Sequence, residues 1–330
     1  MNRKVSVAPM MDCTDRHERY FLRLISKNVL LYTEMIVSEA IDRGDKKKLL
    51  SFNLNEKPVA LQLGGSSPKL LAKASKIGED FGYDEINLNL GCPSKKVQKN
   101  KFGACLIKEP KLVAECLNEM QSKTKLPVTV KTRIGYDDVD YYENLYKFIS
   151  LLKSTGVKTF IIHARKAILG GLTPKQNLNI PPLKYEMVYK LKKDFQDLEI
   201  IINGGITSTN EIKNHLMKVD GTMIGRSIYQ SPYMLANIEK EIFNNDNILS
   251  REEVIKNLIF YLKDEVKKGT RINQIMRHTL GLFHGQTGSS FWKKYLSDNM
   301  CVRNADVQKI DHIMDKVKLA PQAHAVGQID

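Results

Sequence analysis

The feature that most limits what this chain can fold into is a repeat of eight short apolar runs separated by stretches of helical pattern. The runs are Val5–Ala8, Leu31–Ile36, Val59–Leu63, Glu85–Leu88, Val128–Lys131, Thr159–His163, Ile200–Asn203 and Gly221–Ile224. They are rich in β-branched residues and bounded by Gly, Pro or Asn, as strands buried on both faces of a parallel sheet are. Amphipathic segments such as Pro68–Phe81, Pro110–Thr124 and Tyr141–Thr155 lie between them. Eight such units predict an α/β fold, a (β/α)8 TIM barrel over residues 1–240. A doubly wound open sheet is the alternative, but it would not need eight units.

The pattern changes after Asn244-Asn245-Asp246-Asn247, a polar stretch read as the domain boundary. Ser250-Arg251-Glu252-Glu253 reads as a capping box, as does Ser208-Thr209-Asn210-Glu211 earlier in the chain. In each, Ser and Glu can satisfy a free backbone N–H at a helix start. Val254, Leu258, Leu262 and Val266 then recur at helical spacing, followed by Ile272, Met276 and Leu280, and by Val307, Ile310, Met314 and Val317. This predicts a small all-helical domain over 250–320, with 321–330 as a flexible tail.

Composition narrows the class. No run approaches the ~20 apolar residues of a membrane helix. Met1–Lys4 lead straight into the first strand, without room for a signal peptide, so a cytoplasmic protein with no membrane partner is expected. The five cysteines are scattered, with no Cys-x-x-Cys pair or Cys/His cluster; reduced thiols and no metal site are expected. A formal charge of +14 favours a polyanionic partner, nucleic acid first. A Lys- and Asn-rich genome would produce the same bias. No apolar helix face is left over, and a monomer is expected.

Barrel active sites form at the C-terminal ends of the strands, and those ends are unusual here. In order they carry Pro9-Met10-Met11, Glu34, Gln62 with Gly64-Gly65, Asn87 and Asn89 with Gly91-Cys92-Pro93, Lys131-Thr132-Arg133, His163-Ala164-Arg165, Asn203-Gly204-Gly205 and Gly225-Arg226. Core packing does not explain polar, glycine-flanked endings repeated eight times. Glycines at the seventh and eighth strands suit a phosphate-bearing cofactor, to which Arg226 could add charge; two tight turns are the plainer reading. Lys131 could hold negative charge on a reduced flavin ring, or be a solvated strand-end lysine. His163 alone could be structural, and Gln62 could bond a heterocycle edge or be a loop glutamine. Cys92, just past a strand end, is placed to exchange a proton. Cys105 and Cys116 fall in helical patterns and read as packing residues; Cys13 and Cys301 lack a comparable setting.

Taken together, Ala8-Pro9-Met10-Met11-Asp12, Asn87-Leu88-Asn89-Leu90-Gly91-Cys92-Pro93, Val130-Lys131-Thr132-Arg133-Ile134-Gly135, Ile162-His163-Ala164-Arg165, Ile202-Asn203-Gly204-Gly205-Ile206 and Met223-Ile224-Gly225-Arg226 resemble the tRNA-dihydrouridine synthase family in order and spacing. The stretches His163–Ala167, Gly171–Lys175 with Ile180–Leu183, Arg277-His278 and Gly281–Gly285 are similar to its bacterial A-type subfamily. The resemblance implies an FMN-containing barrel with a helical tRNA-holding domain, acting on uridines 20 and 20a of the D-loop. It implies that NADPH reduces the flavin, which gives a hydride to C6 of uracil while Cys92 gives a proton to C5. Pro9, Met10, Met11, Gln62, Lys131, His163, Asn203, Gly204, Gly205, Gly225 and Arg226 would hold FMN. Asn89 and Arg165 would face the uracil, and Lys175 the RNA.

A cysteine pKa near neutrality would suit the proton transfer. Arg271, Arg277, Lys293, Lys294 and Arg303 are candidate contacts to the RNA backbone. Leu178 stands where the subfamily pattern has a basic residue, and Lys293-Lys294 where it is arginine-rich, so bidentate phosphate geometry is lost there. Two rivals remain at this stage: a small-molecule pyrimidine flavin oxidoreductase of the dihydroorotate dehydrogenase kind, and a non-catalytic RNA-binding protein.

Overall fold

The computed structural model describes residues 1–302 and residue 309. Arg303, the helical repeat at Val307, Ile310, Met314 and Val317, and the tail 321–330 lie outside the described residues. The strands are β1 (Val5–Val7), β2 (Leu30–Tyr32), β3 (Ile36–Val37), β4 (Val59–Gly64), β5 (Glu85–Leu90), β6 (Val128–Arg133), β7 (Thr159–His163), β8 (Glu199–Asn203) and β9 (Gly221–Ile224). They pair in the order β2-β1-β9-β8-β7-β6-β5-β4-β3, and a further parallel pairing of β2 with β4 closes the sheet. The fold is the expected (β/α)8 TIM barrel, with β3 a two-residue addition beside the end of β4.

The predicted strand Leu31–Ile36 is thus interrupted, and Thr33 is the reason. Its backbone N–H still donates to the Ala60 carbonyl at 2.9 Å. Its hydroxyl, however, accepts the Gln62 N–H at 3.0 Å and donates to the Glu34 carbonyl at 2.7 Å. A side chain occupies one rung of the ladder and the strand leaves its register. Glu34 is turned toward the loop after β1, where its carboxylate accepts the Asp12 N–H at 2.5 Å.

The pairing register sorts each strand by alternation. Val59, Leu61, Leu63, Ile86, Leu88, Val128, Val130, Phe160 and Ile162 form the apolar set and are fully buried or nearly so. The helix Pro68–Phe81 starts on the Ser67 cap, has proline in its first turn and ends on left-handed Gly82. A Cβ at its Gly78 would lie 2.7 Å from Leu61 Cδ2 and 2.8 Å from Ile86 Cδ1, so glycine there lets the helix lie close on β4 and β5. The other set includes Gln62, Glu85, Asn87, Asn89, Thr129, Lys131, His163 and Asn203, a mostly polar interior.

The chain forms two compact units. The first, Met1–Arg16 with Asn28–Gly225, is the barrel. The second joins His17–Lys27 to the chain from Arg226 onward, and its described elements are helical: Arg226–Gln230, Met234–Phe243, Arg251–Lys267, Ile272–Met276 and Ser289–Asn299, with the bulk of Arg16–Ile25. Within it Tyr20 stacks on Tyr261 at 3.8 Å, and His17 Nδ1 meets the Tyr261 hydroxyl at 2.7 Å. Trp292 Nε1 donates to the Thr279 carbonyl at 2.8 Å. The capping boxes at Ser208 and Ser250 are both formed. No described helix is long and apolar enough to cross a membrane.

Candidate functional site

The polar interior of the barrel is a connected structure. At its floor the fully buried Glu85 receives Arg3 Nε at 2.7 Å, the Tyr32 hydroxyl at 2.6 Å and the Thr129 hydroxyl at 2.6 Å. Arg3 also reaches Glu199 at 2.8 Å, which in turn accepts from the Thr159 hydroxyl. Above this ion pair, Asn87 Nδ2 donates to Thr129 Oγ1, Gln62 Nε2 to Asn87 Oδ1, and Asn89 Nδ2 to Gln62 Oε1, each at 2.8 Å. Each amide is paired inside the barrel, where an unpaired one would cost about 1–3 kcal/mol.

The column ends on the cysteine loop. Asn89 Oδ1 accepts the N–H of Gly91 at 3.1 Å and of Cys92 at 3.0 Å. Arg133 Nε holds the Gly91 carbonyl at 2.8 Å, and the Cys92 carbonyl accepts the Ala104 N–H at 2.9 Å. Gly103, at φ 74°, is required beneath this loop, because a Cβ would come within 2.7 Å of the Cys92 carbonyl oxygen. Burial pushes the Cys92 thiol up; the Ser94 N–H and the charges of Arg133 and Lys131 pull it down less strongly. The expectation of a pKa near neutrality is therefore corrected: desolvation outweighs the cations, and the thiol keeps its proton at neutral pH.

Lys131 lies two residues inside β6 and crosses the barrel to Asn203 Oδ1 at 2.9 Å, while Asn203 Nδ2 donates to the Met223 carbonyl at 2.7 Å. Burial, then the Arg133 charge, lower the Lys131 pKa from 10.5 to about 7. Burial likewise lowers Arg133 to about 10. The Arg165 N–H donates to His163 Nδ1 at 3.2 Å, which leaves the proton of the neutral ring on Nε2. That nitrogen stands beside Gly204, where a Cβ would be 3.3 Å away.

Gly204 and Gly205 have φ of 116° and 75°. A Cβ on Gly205 would meet Leu183 Cδ1 at 2.6 Å and the Tyr185 hydroxyl at 2.8 Å. This pair is glycine by necessity. Gly225 differs: a Cβ there would make ordinary contacts of 3.4 Å with Met10 Sδ and 3.5 Å with Ala8 Cβ.

The long loop after β7 carries Arg165, whose guanidinium donates to the Pro181 carbonyl, and the exposed Lys175. Its anchor is the fully buried Asn177, which accepts the Ile168 N–H at 2.7 Å and donates to the Ile168 carbonyl at 3.0 Å. Arg133 reaches the Lys166 and Asn177 carbonyls, and Gln98 Nε2 ties the Pro93 carbonyl at 2.9 Å to that of Leu169 at 3.0 Å. One set of contacts thus joins the cysteine loop to the Lys175 loop.

The structure brings Gln62, Asn89 and Cys92 into one chain of contacts, and pairs Lys131 with Asn203, His163 with Gly204, and Met10 with Gly225. Pro9 is half-buried and Met11 is exposed on the loop after β1. Arg226 opens the first helix of the second unit, where Arg277 is half-buried and Lys293 and Lys294 are exposed on the helix Ser289–Asn299. Sequence reasoning did not select Thr129, Arg133, Gln98 or Asn177. Polar residues at every second position of two adjacent buried strands, Glu85-Asn87-Asn89 and Thr129-Lys131-Arg133, were the signal for the first two. Among the described residues no group of three or more His, Cys, Asp or Glu side chains is arranged to hold a metal ion.

Comparison with known proteins gives three results. Residues 6–318 match the family model described as dihydrouridine synthase (Dus). Curated relatives named tRNA-dihydrouridine(20/20a) synthase are 53% identical over 302 residues in Synechocystis sp. (91% of this chain, 90% of the relative) and 50% identical over 313 residues in Shewanella oneidensis (94% and 92%). The protein of that name in Escherichia coli K12 is 50% identical over 316 residues (95% and 91%). A solved 2-naphthoyl-CoA reductase complex aligns with a TM-score of 0.53 at 11% identity, covering 73% of this chain and 50% of that one, a likeness of fold.

Proposed function

We propose that this chain, which belongs to the dihydrouridine synthase family, reduces the C5–C6 bond of uridine in the tRNA D-loop, at the positions 20 and 20a named for its relatives. The observation that carries this reading is the setting of Cys92, on a loop just past the end of β5 whose N–H groups Asn89 holds and whose Gly91 carbonyl Arg133 holds. Kinship at about half identity over nearly the full length supports it.

FMN, with NADPH as reductant, is the cofactor that the donors at the mouth of the barrel support. The positive-φ pair Gly204–Gly205 packs its backbone against Leu183 and His163 at the strand end, and Lys131 Nζ and His163 Nε2–H are donors suited to an electron-rich ring and a phosphate. Pro9, Met10, Met11, Gln62, Lys131, His163, Asn203, Gly204, Gly205, Gly225 and Arg226 would hold the cofactor, which when bound supplies the hydride for C6. Cys92 then gives its proton to C5: the S–H bond breaks, the C–H bond forms, and the thiolate left behind regains a proton from water. Lys131 and Arg133 offset the charge that this leaves in a desolvated place. Asn89 and Arg165 would face the uracil, which must leave its stack to enter. Lys175, and Arg277, Lys293 and Lys294 of the helical second unit, would hold the RNA backbone.

The test is a dihydrouridine map of tRNA from cells lacking the gene, with purified protein and NADPH added back. Restoration at positions 20 and 20a is expected. Flavin-loaded protein that restores nothing would favour a small-molecule pyrimidine oxidoreductase, and tRNA binding without flavin a non-catalytic RNA-binding protein.

A further inference from the structure

We propose that Thr129 is a positioning residue: through it, the ion pair at the barrel floor anchors the amides that hold Cys92 and face the substrate. This rests on the reading that Asn89 and Cys92 meet a uracil, and the experiment keeps the two separable.

A carboxamide can turn over at little cost in shape, exchanging donor for acceptor. A column of three, Asn87, Gln62 and Asn89, has one direction as soon as either end allows only one. Glu85, ion-paired with Arg3, can only accept. Thr129 must therefore donate to it, so its oxygen accepts from Asn87 Nδ2. Asn87 Oδ1 is then bound to accept from Gln62, and Gln62 Oε1 from Asn89. At the far end the N–H groups of Gly91 and Cys92 can only donate, and Asn89 Oδ1 receives both. The two ends agree, and no amide can turn alone without setting donor against donor. Asn89 is left with a single unused N–H and an oxygen that already takes two hydrogens. Toward a ligand it can only donate, which suits a pyrimidine carbonyl and opposes an exocyclic amine. The N–H groups of the cysteine loop would fix this direction by themselves; what Thr129 adds is the hold at the lower end, because its hydroxyl joins Glu85 to Asn87 and is the acceptor for Asn87 Nδ2.

Thr129→Val keeps the shape and removes the link; Thr129→Ser restores the hydroxyl. Two readouts are taken: iodoacetamide alkylation of Cys92, resolved by peptide mass, and kcat and KM on tRNA. In T129V, Cys92 alkylation is expected to rise about threefold or more and kcat to fall about tenfold, with the KM for tRNA within about twofold, the size of effect one lost hydrogen bond allows. T129S is expected to return both to wild type. A folded T129V with unchanged alkylation and kcat overturns the proposal, as does T129S showing the same defects. Should T129V not fold, Thr129→Ala removes the same hydroxyl with a smaller side chain. Faster Cys92 alkylation is again expected there, and an unchanged rate overturns the proposal. Faster alkylation in T129V, reversed in T129S, in a protein that never modifies tRNA would sink the functional reading and leave this one standing.

Discussion

Cys92 and Lys131 sit in the same desolvated mouth and are pushed in opposite directions by it. Burial raises the thiol and lowers the amine, so near pH 7 Cys92 is neutral while Lys131 lies near the midpoint of its titration. Neutral suits a proton donor, and Cys92→Ala should keep flavin and tRNA binding while turnover falls roughly a hundred- to ten-thousand-fold; full activity in single-turnover assays would remove Cys92 from the chemistry. For Lys131 the sign follows from proton binding. With its folded pKa at about 7 and an ordinary value of 10.5, the unfolded chain binds more protons between those values. The stability of cofactor-free wild type relative to Lys131→Met should therefore be lowest at or below pH 7 and rise toward pH 9.5. Urea unfolding of the two proteins across that window checks it, and a flat difference would mean that Lys131 titrates normally. The identity of both residues was legible from their strand-end motifs. Their protonation was not, because desolvation depends on what closes over them.

At the scale of elements, local signals were read well where the cause is local. Capping boxes at Ser208 and Ser250 need only neighbours three residues away, and both formed. Thr33 shows the limit: Leu31–Ile36 has strand composition, but the hydroxyl that breaks it acts on Gln62 of the next strand. The same holds for the loop after β7, whose anchor Asn177 bonds back to Ile168 within a segment that reads only as polar. The helix Ser289–Asn299 buries Trp292 and Leu296 and exposes Lys293 and Lys294. If this face holds RNA, Lys293→Gln and Lys294→Gln should each weaken tRNA binding and lower the log Kd–log salt slope by about 0.7–0.9. Filter binding at several salt concentrations measures this, and an unchanged slope would move the RNA surface elsewhere.

At the scale of the whole molecule, the helix Arg16–Ile25 is the instructive case. It follows β1 in the chain, yet from His17 on it belongs to the helical unit, where Tyr20 stacks on Tyr261 and His17 meets the Tyr261 hydroxyl. A chain ending at Phe243 should therefore expose apolar surface, bind a hydrophobic dye and self-associate. A monomeric, cooperatively unfolding product in a light-scattering and melting experiment would break that link. Nothing in Arg-His-Glu-Arg-Tyr-Phe-Leu-Arg-Leu-Ile says which core its apolar stripe faces, because amphipathicity names a face and not a partner. The eight-fold strand–helix rhythm, the helical second part and the strand-end motifs were written in the sequence, since periodicity and turn chemistry act over a few residues. Which side chains the closed barrel brings together was what only the tertiary structure decided. It brings Arg3 to Glu85 and Glu199, and Lys131 to Asn203, across 72 to 196 positions of chain. Those contacts set the charges of the site and anchor its amides, because hydrogen bonding and desolvation depend on distance in space and not along the sequence.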